Sequence, residues 1–125
     1  MIVADSSYIV EGLLKNKNLL AEDNMVAPDL ALYEVANALW KHEHLLKDLE
    51  NGKPYLSIFY DLIASGKITV LFPSEDLMHQ SFSIAKASGT TIYDALFISL
   101  AIELGLKLKT FDTVQAKVFK NQEKV

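Results

Sequence analysis

Short apolar runs separated by longer amphipathic segments constrain this chain more than any other feature. Residues 2–4 read IVA, residues 25–27 MVA, residues 67–72 KITVLF and residues 106–110 LKLKT. Each is the length of a single strand. The segments between them carry helical signals. Ser6–Lys15 places apolar residues at Ile9, Val10, Leu13 and Leu14. Pro28 and Asp29 open a long helical segment to about His44, since proline suits a first helical turn. Gly52 breaks the chain, and Pro54–Ser65 is a helix stopped by Gly66. Ser74 caps the next helix, with Glu75 and Asp76 in its first turn and Gly89 at its end. Thr91–Leu104 and Asp112–Lys120 complete the set, the former stopped by Gly105. Strands alternating with helices predict an α/β layer fold with a mostly parallel sheet. Right-handed crossovers then put helices on both faces. Ligands in such sheets sit beyond the carboxyl ends of the strands.

A length of 125 residues predicts one domain, 1–125, and a hydrophobic share of 50% is enough for one core. There is no cysteine, so disulfides, cysteine–zinc sites and a thiol nucleophile are excluded. That fits a reducing cytoplasm, which is the expected location. The N-terminus lacks the basic region of a signal peptide. No apolar stretch reaches the roughly 18 residues of a membrane span. All 12 basic residues are lysines, and the net charge is -4. Bidentate guanidinium recognition of phosphate is therefore excluded. Five lysines (107, 109, 117, 120, 124) nonetheless gather near the C-terminus against Asp112 and Glu123, as a solvated face or a basic contact surface.

Four acidic residues stand in apolar surroundings: Asp5 after IVA, Glu34 within LALYEVANALW, Asp94 within TIYDALFISLA and Asp112 after LKLKTF. Asp5 and Asp112 have a second reading as helix caps, worth about 1 kcal/mol each. Asp94 follows Thr91 by three residues, the spacing of a capping box. Glu34 has no such explanation. Leu30 and Ala38 flank it at helical spacing, and its polar neighbour is Asn37. An unpaired buried carboxylate is very costly, so a group outside the local helix must balance it. All four positions can reach the carboxyl edge of the sheet. At ~5 Å and an effective dielectric near 20, each pair of like charges costs about 3 kcal/mol. Protonation or divalent cations must relieve that repulsion. An oxygen-only donor set suits Mg²⁺ or Mn²⁺, and two such ions would cancel the formal charge of the chain.

Taken in order, IVADSS, EVANAL, YDALFISLA and LKTFD make the sequence resemble the PIN-domain ribonucleases, and in size the VapC-type toxins of toxin–antitoxin pairs. The resemblance runs along essentially the whole chain. It implies a three-layer α/β/α fold around a mostly parallel sheet of four or five strands. It also implies an acidic site for one or two Mg²⁺ or Mn²⁺ ions and cleavage of single-stranded RNA. Asp5, Glu34, Asp94 and Asp112 fall on the acidic positions, and Ser7, Asn37 and Thr110 on supporting polar ones. The implied partners are RNA, a cognate antitoxin and a second copy of the chain. Family members often use arginine for RNA, so Lys107, Lys109 and Lys117 would have to take that role here. A processing nuclease outside a toxin–antitoxin pair and a non-catalytic interaction module are the alternatives. A phosphoacceptor receiver domain fits less well, because serines follow the first strand and Asp112 stands where a lysine belongs.

Other features have plainer readings. His42 and His44 lack the spacing of a zinc-protease helix and read as exposed helix-end residues; His79 reads as a surface residue. Tyr33, Trp40, Phe59, Tyr60 and Phe97 are expected in the core rather than on a base-stacking platform. The segment from Glu43 to Tyr60 reads as a protruding helical clip. Its Tyr55, Leu56, Ile58 and Phe59 serve either a partner surface or the core.

Overall fold

The structure is a computed structural model, and it describes residues 1–123. Lys124, one of the clustered lysines, lies outside the described residues. The strands are β1 (Ile2–Ala4), β2 (Met25–Pro28), β3 (Ile68–Leu71) and β4 (Leu108–Lys109). The helices are α1 (Ser6–Leu14), α2 (Asn18–Glu22), α3 (Leu30–Lys41), α4 (Lys53–Ala64), α5 (Glu75–Ser88), α6 (Ile92–Leu104) and α7 (Thr113–Glu123). The sheet runs β3-β2-β1-β4, and every pairing is parallel. The four-stranded form of the expected architecture is therefore the one found.

The chain moves from β1 to β2 to β3 in one direction, then returns across the sheet to β4 on the far side of β1. Right-handed crossovers put α1–α4 on one face and α5–α7 on the other. The packing agrees, with α1 against α3 and α4, and α6 against α5 and α7. The direction of winding reverses between β1 and β4. That is the topological switch point, where an open parallel sheet leaves a crevice at its carboxyl end.

The core is densest where α6 crosses the strands. Residues Ala95–Ala101 of α6 are all buried, so this helix is enclosed on every side. Val3, Met25, Val35 and Phe59 are fully buried in the sheet or on its opposite face. Gly89 and Gly105 end α5 and α6 in the left-handed conformation, with φ of 74° and 66°, which other residues adopt at a cost.

Several local readings are corrected. Pro28 does not open a helix; it is the last residue of β2, paired with Leu71. The Met25 and Asp29 nitrogens donate to β3 at 2.9 and 3.0 Å. The nitrogen of Pro28 therefore faces β1, whose pairing with β2 has stopped at Val26, so no ladder bond is lost. The helix α2 was unassigned because a single turn is too short to display a period. β4 is shorter than residues 106–110 because β1 pairs only with Leu108 and Lys109. The long third helix does not stop at His44. It continues from His42 to Leu46 as a π-helical turn, closed by Lys47 N–H on the His42 carbonyl, and Glu43 then accepts from the Gly52 nitrogen at 2.7 Å.

The aromatic residues divide differently from expectation. Phe59 and Phe97 are core, but Tyr33, Trp40 and Tyr60 are 69%, 51% and 50% exposed. Spacing placed them on long apolar helices, but α3 and α4 each bury only one stripe. In the clip, Phe59 is interior, Tyr55 and Leu56 pack on the core, and Ile58 remains exposed. Of the two readings of this segment, core packing therefore accounts for most of it. His42 bonds Asp48 at 2.9 Å, and His79 meets Glu75 at the surface as expected. Truncating Phe59 to Ala should cost about 3–5 kcal/mol, read as a lower urea midpoint at unchanged slope.

Candidate active site

Asp5 is the first residue beyond β1 and the cap of α1. Its Oδ1 accepts from the Tyr8 nitrogen at 3.0 Å and from the Ser7 hydroxyl at 2.7 Å. Its Oδ2 accepts from the Thr110 hydroxyl at 2.6 Å. The cap reading was thus correct, but it uses only one oxygen. The other is tied across the switch point to the segment that follows β4. Thr110 also accepts from the Asp112 nitrogen at 2.9 Å, and Ser7 accepts from the Phe111 nitrogen at 2.9 Å. Two hydroxyls, those of Ser7 and Thr110, therefore join the ends of β1 and β4.

Glu34 projects from α3, half-buried, and accepts from the Ser6 hydroxyl at 2.8 Å. Ser6 is the outside group that balances it, and sequence reasoning missed it. The signal was present in the second residue of the DSS run, but only the packing of α1 on α3 makes it a partner. Asn37 is exposed one turn beyond Glu34 and, among the described residues, bonds none of the four carboxylates. In α6 the Thr91 hydroxyl caps the Asp94 nitrogen at 3.1 Å. The return bond of a capping box is not formed among the described residues, so the Asp94 carboxylate is left for other uses. Asp112 is exposed and caps α7 through the Gln115 nitrogen at 3.0 Å. Gln115, which the sequence did not single out, is buried behind this edge.

The fold brings the four acidic positions into one another's electrostatic field. Burial pushes the Asp5 carboxyl up, against hydrogen bonds from Thr110, Ser7 and Tyr8, and the charge of Asp112 raises it further. Burial also raises Glu34, opposed by Ser6 and reinforced by Asp94 and Asp5. Asp94 is raised by burial and by Asp112 and Asp5. Among the described residues the ion pairs are His42–Asp48 and His79–Glu75, so no cationic side chain neutralises the cluster. The donor set fits a hard divalent cation: oxygen only, mutually repelling and without a counter-charge. The fit is one of chemistry: among the described residues no group of three such side chains is placed to hold an ion.

The expected lysines do not share the groove. Lys107 lines a depression with Gly105 and Phe119, while Lys117 lines another with Ser88 and Thr113. Lys109 is exposed on β4, immediately before Thr110. A groove of about 400 Å³ lies beside Ser6 and Ser7, lined also by Glu11, Lys41, His42 and Phe111, and none of the four acids lines it. Phe111 stacks on Tyr8 with ring centroids 5.9 Å apart. Among the described residues no helix is long and apolar enough to cross a membrane.

A parallel sheet whose switch point gathers acidic residues from the end of β1, from α3, from α6 and from the β4–α7 junction defines the class of α/β protein. Comparison places it: the chain belongs to the PIN-domain family, whose profile matches residues 2–121. Within that family it is of the VapC type. It is 36% identical over 93 residues to Ribonuclease VapC3 of Pyrobaculum aerophilum, covering 73% of this chain and 68% of that protein. The crystal structure of PAE2754, also from Pyrobaculum aerophilum, superposes with a TM-score of 0.75 at 23% identity, over 94% of this chain and 83% of that one. VapC20 of Mycobacterium tuberculosis, described as a sarcin-ricin loop cleaving toxin, gives 0.73 at 15% identity over 94% of each chain. These two superpositions bear on the fold.

The raised carboxyls set the pH dependence of the metal-free protein. A carboxyl whose folded value is raised binds protons more tightly folded than unfolded, so stability falls as pH rises through the interval between the two values. For Asp5 and Asp94 that interval opens at the ordinary 3.8, and for Glu34 at 4.5. In EDTA the melting temperature should therefore rise as pH falls from neutral towards that interval. A profile that is flat or falls on acidification contradicts this.

Proposed function

We propose that this protein is a Mg²⁺- or Mn²⁺-dependent endoribonuclease that hydrolyses phosphodiester bonds of single-stranded RNA, acting in the cytoplasm as the toxin of a toxin–antitoxin pair. The observation that carries the reading is the uncompensated set of carboxylates at the switch point, with three carboxyls pushed up by burial and mutual repulsion. Family membership and the relative named Ribonuclease VapC3 support the same chemistry.

In this reading Asp5, Glu34, Asp94 and Asp112 are the catalytic acids and would hold one or two ions. Such an ion supplies Lewis acidity and activates water for in-line displacement at phosphorus. The chain's own groups prepare the site. Ser7 and Thr110 fix the orientation of the Asp5 carboxylate, and Ser6 does the same for Glu34. Asn37 is exposed beside Glu34 and accessible to substrate or water. Lys41, in the groove next to the serines, and Lys109, immediately before Thr110, are candidates for a phosphate contact. Lys107 and Lys117 are further ones.

A second copy of the chain is the proposed homodimer partner, and the face it would cover is apolar. Tyr33, Phe72 and Tyr93 are 69%, 88% and 62% exposed and line a shallow depression with Leu30, Met78 and Leu96. The three aromatic rings alone present roughly 300–550 Å². That approaches the ~800 Å² each partner contributes to a stable interface. Asp29 is the one charged residue lining the depression, so two copies can meet there with little charge to desolvate. Tyr33 adjoins Glu34 and Tyr93 adjoins Asp94, so the dimer would set the two acidic sites side by side.

Unstructured RNA incubated with Mg²⁺ or Mn²⁺ should be cleaved, and EDTA should abolish cleavage. Asp5→Asn or Asp94→Asn should lower the rate by about a hundredfold or more, since even residues that only support a metal ligand cost 10–100-fold. Full activity in either variant refutes these assignments. Arrest of host growth by the wild-type chain, and not by Asp5→Asn, separates a toxin from a processing nuclease. Light scattering after size exclusion should give a dimer that Phe72→Glu converts to a monomer; a monomeric wild type at tens of micromolar rejects the interface.

A further inference from the structure

Gln115 is 2% exposed, and neither strand nor helix periodicity marks it as functional. A buried carboxamide is costly unless both ends are bonded. Here both ends are used. Nε2 donates to the Asp94 carbonyl at 3.1 Å, and Oε1 accepts from the Thr110 hydroxyl at 3.2 Å. The backbone nitrogen of the same residue donates to the Asp112 carboxylate at 3.0 Å. One residue therefore touches the Asp94 turn of α6, the cap of α7 and the hydroxyl that holds Asp5.

We infer that Gln115 is a positioning residue, a clamp that ties together the segments bearing Asp94, Asp112 and Asp5, from which these acids would take up a divalent cation. The inference rests on the metal-dependent reading above. Its physical basis is repulsion. Beyond the larger effect of burial, the charge of Asp112 raises the Asp5 and Asp94 carboxyls and that of Asp5 raises Asp94, so Gln115 bonds together segments whose charges oppose their approach. A neutral side chain suits this task, because it bonds a carbonyl and a hydroxyl without adding charge to the cluster. The clamp also selects one amide orientation. Only the arrangement with Nε2 towards Asp94 presents an oxygen to Thr110. The single Thr110 proton is shared between Asp5, at 2.6 Å, and Gln115 Oε1, at 3.2 Å, with Asp5 the closer acceptor.

Gln115→Leu fills the same volume without the bonds. The test is thermal melting of the full chain across a Mn²⁺ titration, with RNA cleavage measured in parallel. The variant should fold, yet need 10–100-fold more Mn²⁺ for half of the stabilising shift, the range found when the support of a metal ligand is lost. Its kcat should fall at subsaturating Mn²⁺ while KM for RNA stays within about twofold. A purely structural role would lower the metal-free melting temperature and leave the Mn²⁺ midpoint unchanged, and that result overturns the inference. Should the leucine variant fail to fold, Gln115→Glu applies the same readout, since it keeps an oxygen for Thr110 and loses the donor to Asp94. A wild type with no Mn²⁺ shift overturns the metal-dependent reading and the clamp together. A normal wild-type shift retained in the variants overturns the clamp alone.

Discussion

The bond between the Thr110 hydroxyl and the Asp5 carboxylate, 2.6 Å long, is the contact on which the organisation of this edge depends. It closes the carboxyl ends of two strands that are neighbours in space and more than a hundred residues apart in sequence. β4 is only two residues long, so its backbone pairing with β1 is slight. Side-chain bonds beyond the strand ends, from Thr110 and from Ser7 to Phe111, extend the union past the ladder. Because Asp5 also caps α1, the same carboxylate anchors a helix on one face of the sheet to a strand at its far side.

That arrangement concentrates negative charge where the fold gives least compensation. A carboxylate in a crevice loses solvation, and its neighbours here are other carboxylates rather than lysines or arginines. Hydroxyl and amide donors offset part of the cost for Asp5 and Glu34 without removing the charge. The metal-free site is thus a source of instability held together by the rest of the core. α6 supplies much of that support: one turn of it carries Asp94, and the following residues Ala95–Ala101 are wholly interior. The edge bearing the strained charges is fixed to the most buried helix of the molecule.

The surface has a separate logic. Apolar helices α3 and α4 each bury one stripe and leave tyrosine, tryptophan and isoleucine outside. On α3, Tyr33 points away from the core while Glu34 turns toward the crevice, because consecutive helical residues face about 100° apart.

The sequence by itself determined the layer order and the parallel sheet, and it singled out four acids that stand in apolar surroundings. Strand and helix periods differ, glycine and proline punctuate them, and a charge inside an apolar run is visible without coordinates. It also marked Ser7 and Thr110, through the motifs that carry them. Tertiary structure alone decided who compensates whom. Ser6 serves Glu34 only because α1 packs on α3, and Gln115 reaches Asp94 only because α7 lies against α6. It also decided that Lys107 and Lys117 line separate depressions while Lys41 lines the groove beside Ser6 and Ser7, and that Tyr33 and Trp40 face outward. Local pattern is set by the period of one element, whereas a hydrogen bond or an exposed face between distant elements depends on how those elements dock.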